Sequence, residues 1–375
     1  MINKQRDLTI DIVKAICIIF MVAGHTTAPF GQFYGLFHMA CFFMVSGYFF
    51  KESKVSDLTR LKSYFFNKIR KLWLPYFLFV SWCVLLHNIF IKLNIYTDNE
   101  EILTLGLLNK TREYWSCRFI IYKLVLAFFL LAQEGLSGPF WFVAVLFYIE
   151  MIYAIINFIL LKLLSKTSPV IYLNSIISLL FFYIGLKVSY DNIGKALCYY
   201  SLYHTGSIFN IVHKKMNTEQ ILIIGLISFI ILLALIHMNI GINLASKTFP
   251  NFFILLLSSI SGFFFCYSIS CILKKIFFLN KYLSYVGQHT LEIVAFHLFA
   301  FKIINYLQIR IFNLPDFYLA AYPVLFYENF WWICYLITGI TIPLILSFLY
   351  YSLKKIIVIR ISNSKSTSES DNLQN

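Results

Sequence analysis

Residues 8–28 read LTIDIVKAICIIFMVAGHTTA, an apolar run of helix length that nevertheless carries Asp11, Lys14 and His25. About 20 mostly apolar residues suffice for a helix to cross the hydrocarbon core of a bilayer. This run is too long for the core of a signal peptide and offers no small-residue cleavage site, so it reads as an uncleaved transmembrane helix. Nine further stretches of the same character follow, at roughly 33–50, 72–93, 140–162, 170–188, 194–212, 219–238, 249–273, 288–308 and 330–353. The expected fold is an all-α polytopic membrane protein of about ten transmembrane helices, occupying residues 1–361 as one domain.

Composition supports that reading. Of 375 residues, 60% are hydrophobic and 13% charged, and mean hydropathy is +0.76. Soluble domains carry about 45–50% apolar and about 25% charged residues, so a water-facing surface of that kind is excluded. The formal charge of +14 does not point to nucleic acid, because the basic residues sit between apolar spans, where cytoplasmic loops of membrane proteins collect them. Cys17, Cys41, Cys83, Cys266 and Cys334 lie within apolar stretches and read as small hydrophobes. No C-x-x-C pair or H-E-x-x-H motif occurs, and no metal is expected.

The basic clusters set the expected orientation. Lys4 and Arg6 precede the first span, Lys51 to Lys71 follow the second, and Lys162/Lys166, Lys214/Lys215, Lys274/Lys275/Lys281 and Lys354/Lys355/Arg360 come later. All fall on one side if both termini are cytoplasmic. That parity requires residues 118–133, apolar but short and interrupted by Lys123, to form an interfacial or re-entrant helix. The Ser/Asn-rich segment 362–375 is expected to be a disordered cytoplasmic tail. Chemistry is therefore expected within the bundle or its short loops.

Ionisable residues within a membrane are costly and point to function by default. Lys14 and His25 are eleven residues apart, which on an α-helix places them on one face, about 16 Å apart along the axis. Asp11 falls on the same stripe, three residues before Lys14. The plainer reading of Asp11 and Lys14 is an ion pair at headgroup level. His38 follows a short connection and can approach the same cavity as His25, and Ser46-Gly47 offers the small surface at which membrane helices pack. Glu150 is a buried acid for which pairing with a Lys or Tyr is the alternative to function. His289, Glu292 and His297 gather near the C-terminal end, where a hydrogen-bonded core histidine is the alternative.

The run from Arg6 to Lys14, with His25 eleven positions beyond the lysine, resembles the acyltransferase-3 family of integral membrane acyltransferases, in particular its sugar O-acetylase branch. Phe37 to Tyr48 follows that family's F-H-M-P-x-F-F-x-x-S-G-Y string, with Ala40 in place of the proline. Arg70 to Tyr76, Phe140 to Phe147, and Tyr285 to Leu291 with His297 resemble its later elements. The resemblance implies transfer of an acetyl group from cytoplasmic acetyl-CoA, or another acyl-CoA, to a hydroxyl of a surface polysaccharide or lipid-linked sugar in the inner membrane of a bacterium. His25 would be the general base, assisted by His38, and no cofactor would remain bound. At the CoA site, Arg6 and Lys14 would meet the phosphates with Asp11 orienting Lys14, and Ser46, Glu150 and His297 would lie toward the acceptor. A transporter for polysaccharide or lipid-linked glycan sharing the fold is the alternative, for which no inverted repeat is visible. Expected partners are the acyl-CoA, the carbohydrate acceptor and membrane lipids, with no nucleic acid.

Overall fold

A computed structural model describes residues 6–132, 135–164 and 167–372, and the side chains of all of these but 167, 168 and 355–372. The main helices are α1 Leu8–His25, α2 His38–Tyr48, α3 Leu58–Lys68, α4 Leu74–Leu85, α5 Cys117–Phe128, α6 Trp141–Leu164, α7 Thr167–Lys187, α8 Asp191–Val212, α9 Thr218–His237, α10 Phe252–Leu273, α11 Phe277–Gln288, α12 Thr290–Phe312 and α13 Trp331–Asn372. Among the described residues the only β pairing is one isolated bridge, between Asn243 and Thr248. The expected tail from 362 falls where no side chain is described, and its last residues, 373–375, lie outside the described residues.

Among the described residues, seven helices are by their own length and composition apolar enough to cross a membrane, which does not confirm the expected count of about ten: α1, α6, α7, α9, α10, α12 and the first part of α13. The three other expected spans do not qualify by length and composition alone, for separate reasons. Residues 33–50 begin at the end of a short helix, Gly31–Gly35, and after a turn only the 11 residues of α2 form a longer helix. Residues 72–93 are broken at Leu86, which ends the 12-residue α4 before a short helix at His87–Lys92. The 22-residue α8 is long enough but too polar, carrying Asp191, Lys195, Tyr199, Tyr200, Tyr203 and His204. Its polar groups face protein rather than lipid. Tyr199 donates to the carbonyl of Leu244 at 2.6 Å, and Tyr199, Tyr200 and Tyr203 are fully buried. The 12-residue α5 extends only about 18 Å, short of a hydrocarbon core of about 30 Å. It packs on α4, and just before that helix the Trp73 indole donates to the carbonyl of Phe128 at 3.0 Å.

The first helix is the hub. It contacts α2, α10, α11, α12 and α13, and Ile10, Ile12, Val13, Ile18 and Val22 are wholly buried. Asp7 caps its N-terminus, accepting from the amides of Thr9 at 3.1 Å and Ile10 at 3.3 Å, which satisfies donors that the helix itself leaves open. The same carboxylate accepts the Tyr48 hydroxyl at 2.7 Å, tying the C-terminal end of α2 to the start of α1. Beyond His25 the chain turns back through Thr27 and Phe30, both at positive φ (55° and 66°), and delivers His38 to the start of α2.

The buried α8 is held against α2 by an approach that only glycine permits. A Cβ on Gly47 would strike the carbonyl of Tyr203, and one on Gly206 would strike that of Met44. Such small-residue contacts replace the hydrophobic drive that lipid does not supply between helices. Gly206→Val is therefore expected to cost about 3 kcal/mol, read as a lower melting temperature in detergent, whereas the same change at Gly35, where a Cβ meets nothing within 4 Å, should leave melting nearly unchanged.

Candidate active site

Where α1 ends, it borders a cavity of about 640 Å³ whose lining includes His25, Tyr34, His38, Trp141, Asn243 and Tyr322. Ile18 and Met21 also line it. These two residues and His25 follow Lys14 by four, seven and eleven positions, the spacing of one helical face. The face that carries Lys14 toward one end of α1 therefore becomes the cavity wall farther along.

Hydrogen bonds assign the state of two histidines. A carbonyl can only accept, so the Nδ1 of His38, 2.7 Å from the carbonyl of Tyr34, carries the proton. Its Nε2 then holds the basic lone pair. His297 is wholly buried, and its Nδ1–H is shared between the carbonyls of Ile293 at 2.9 Å and Val294 at 3.1 Å. The Nε2 of His297 is thus an acceptor, and it has no hydrogen-bond partner in the structure. The His25 ring lies beside it, with centroids 5.2 Å apart. Together His25, His38 and His297 place two rings on the cavity and a third directly behind His25.

At the other end of α1, the Asp11 carboxylate is buried between two cations. Arg6 reaches it at 2.5 Å and Lys14 at 2.7 Å. The trio carries two positive charges and one negative, and Lys14 remains partly exposed, at 18% of its side chain. This is the ion pair that the plainer reading expects, with Arg6 added to it.

The remaining expected site residues lie elsewhere. Glu150, 1% exposed, bonds to Lys68, Tyr64 and Tyr203, as expected for an acid whose demand is met inside the bundle. Ser46 is half-buried in α2, and neither it nor Glu150 lines the histidine cavity. The structure also places at the cavity groups that sequence reasoning did not single out, Tyr34, Asn243 and Tyr322. Tyr34 is positioned by its hydroxyl, which donates to the carbonyl of Ala28 at 3.1 Å, and Asn243 by its pairing with Thr248. These come from connections with no periodic signal. Among the described residues, one trio of potential metal ligands is gathered. The thiols of Cys17, Cys41 and Cys266, from α1, α2 and α10, lie within 4.8 Å of one another. They are soft donors, and they do not line the histidine cavity.

A family model described as an acyltransferase domain matches residues 7–352. Comparison with curated proteins and with solved structures finds no match.

The assignment of Glu150 to structure has a measurable consequence. Glu150→Gln keeps an acceptor for the tyrosines but leaves Lys68 without its counter-charge. A fully buried broken pair costs about 3–5 kcal/mol, and partial exposure of Lys68 reduces this to about 2 kcal/mol. Thermal unfolding in detergent should show that loss.

Proposed function

The chain belongs to the acyltransferase-3 family, and from that premise we propose a donor, an acceptor and a base for a membrane acyltransferase. The donor is a cytoplasmic acyl-CoA, acetyl-CoA first. The acceptor is a hydroxyl of a carbohydrate, a bacterial surface polysaccharide or its lipid-linked unit. The base is His25. One observation carries the reading: His25 and His38 line a single cavity, and Asp11 and Lys14, paired with Arg6 just before α1, lie on the helix of His25, Lys14 about 16 Å from it along the axis.

Arg6 and Lys14 exceed Asp11 by one positive charge, which favours the phosphates of CoA, with the arginine suited to bidentate contact. From there the pantetheine arm would run along the face of Ile18 and Met21 and bring the thioester to His25. The acceptor hydroxyl gives its proton to a ring nitrogen of His25 as its oxygen attacks the thioester carbonyl. A C–O bond forms, the C–S bond breaks, and the proton passes from His25 to the departing thiolate. The lone pair on His38 Nε2 offers the acceptor a second hydrogen-bond partner. His297 Nε2, buried and unpaired, offers the His25 imidazolium an acceptor behind the ring. In this reading the basic clusters that set the orientation, and both termini, face the cytoplasm of a bacterium whose inner membrane holds the protein, which requires an even number of crossings, met when α2, α4 and α8 cross together with the seven long apolar helices.

Membranes bearing wild type or His25→Ala, supplied with radiolabelled acetyl-CoA and the host glycan, provide the test. Label in the glycan should fall about 10²–10⁴-fold in the variant at equal protein level, and equal label would remove His25 from the chemistry. Lys14→Ala should raise KM for acetyl-CoA about tenfold with a smaller effect on kcat, the signature of lost ground-state binding.

A further inference from the structure

The histidine cavity shares Gly138 and Tyr322 with a second cavity of about 210 Å³. Three cationic side chains, Lys110, Arg112 and Lys302, line this neighbour, and no carboxylate does among the described residues. Lys302 is the unusual member. It sits in α12, a membrane-crossing helix, and is only 7% exposed. Its ammonium donates to the carbonyls of Leu319 at 2.9 Å and Ala321 at 2.8 Å. Both are neutral acceptors, and the amide of Asn305 also donates to Ala321, at 3.2 Å. An ammonium has three donors, and a buried cation is costly unless an anion balances it. Arg112 lies over the ring of Tyr96, 5.2 Å from its centroid, so its guanidinium is held at the same cavity. Lys110 is exposed.

We propose that this second cavity binds an oxyanion carried by the acceptor, a carboxylate or a phosphate. The acceptor is then an acidic or phosphorylated sugar, anchored at Lys302 and Lys110, with its reacting hydroxyl presented past Tyr322 to His25. The word acceptor rests on the acyltransferase reading above; the anion site rests on the cavity and its cations alone. The donor's phosphates have their own cations in Arg6 and Lys14, at the opposite end of α1 from His25.

Full-length protein in nanodiscs, without acyl donor, is dialysed to equilibrium against three radiolabelled probes: methyl glucuronide, glucose 1-phosphate and the neutral methyl glucoside. At least one anionic probe should be retained about tenfold better than the neutral one, the gain expected from a charged hydrogen bond. A larger gain for the glucuronide identifies a carboxylate, and a larger gain for the sugar phosphate a phosphate. Lys302→Met should abolish the preference and Lys110→Ala should lower it several-fold. Lys110 is exposed, so its variant decides the matter should Lys302→Met fail to fold. Equal retention of the three probes, a preference unchanged in the variants, or displacement of the anionic probe by CoA would each overturn the proposal. Because no acyl group moves in this assay, its failure leaves the transfer reading standing, and loss of that reading leaves a binding result intact.

Discussion

A polar side chain within the hydrocarbon layer has no water to turn to, so the protein must supply a partner or a filled cavity for every such group. The first helix concentrates that demand. It carries Asp11, Lys14 and His25 through the bundle, and α2, α10, α11, α12 and α13 pack around it. Asp11 is satisfied by two cations, and the start of the helix by Asp7. Its other end opens on a cavity instead. The same accounting explains α8, whose tyrosines find acceptors at Leu244, Asn174 and Glu150. It also separates two kinds of buried ionisable group. Glu150 is fully engaged by Lys68 and two tyrosines and belongs to the scaffold. His297 and Lys302 retain bonding capacity and stand beside cavities.

The sequence revealed the long apolar helices because each is decided by its own residues, as in α6, α9 and α10. It did not reveal those decided by neighbours. The extent of α2 is set by a connection in which Thr27 and Phe30 adopt positive φ, and nothing in the local pattern marks that. The run 194–212 reads as a span from its apolar residues, yet the partners that its tyrosines find are visible only in the packed bundle. The site divides in the same way. His25 and His38 were legible from spacing within one short stretch, and Lys14 from its position on the stripe of His25. That His297 stands behind His25 needs the packing of α12 on α1. Lys302 carried a readable signal, a lone lysine within the apolar run 288–308, but its importance depends on the cavity it lines. The three gathered cysteines come from positions 17, 41 and 266, too far apart in sequence for any motif to unite them.

One helix thus has cationic charge near one end and a cavity-lining histidine toward the other, with Ile18 and Met21 along the face between them. The proposed function would divide the reactants between the two faces of the membrane, donor on the side of Lys14 and acceptor on the side of His25. The direct measurement uses sealed vesicles of known orientation, with radiolabelled acetyl-CoA on the face of Lys14 and the host glycan on the opposite face only. The account predicts acylated glycan on that opposite face, and none with His25→Ala. Acylation that occurs only when donor and glycan share one face, or that persists in His25→Ala, would contradict it.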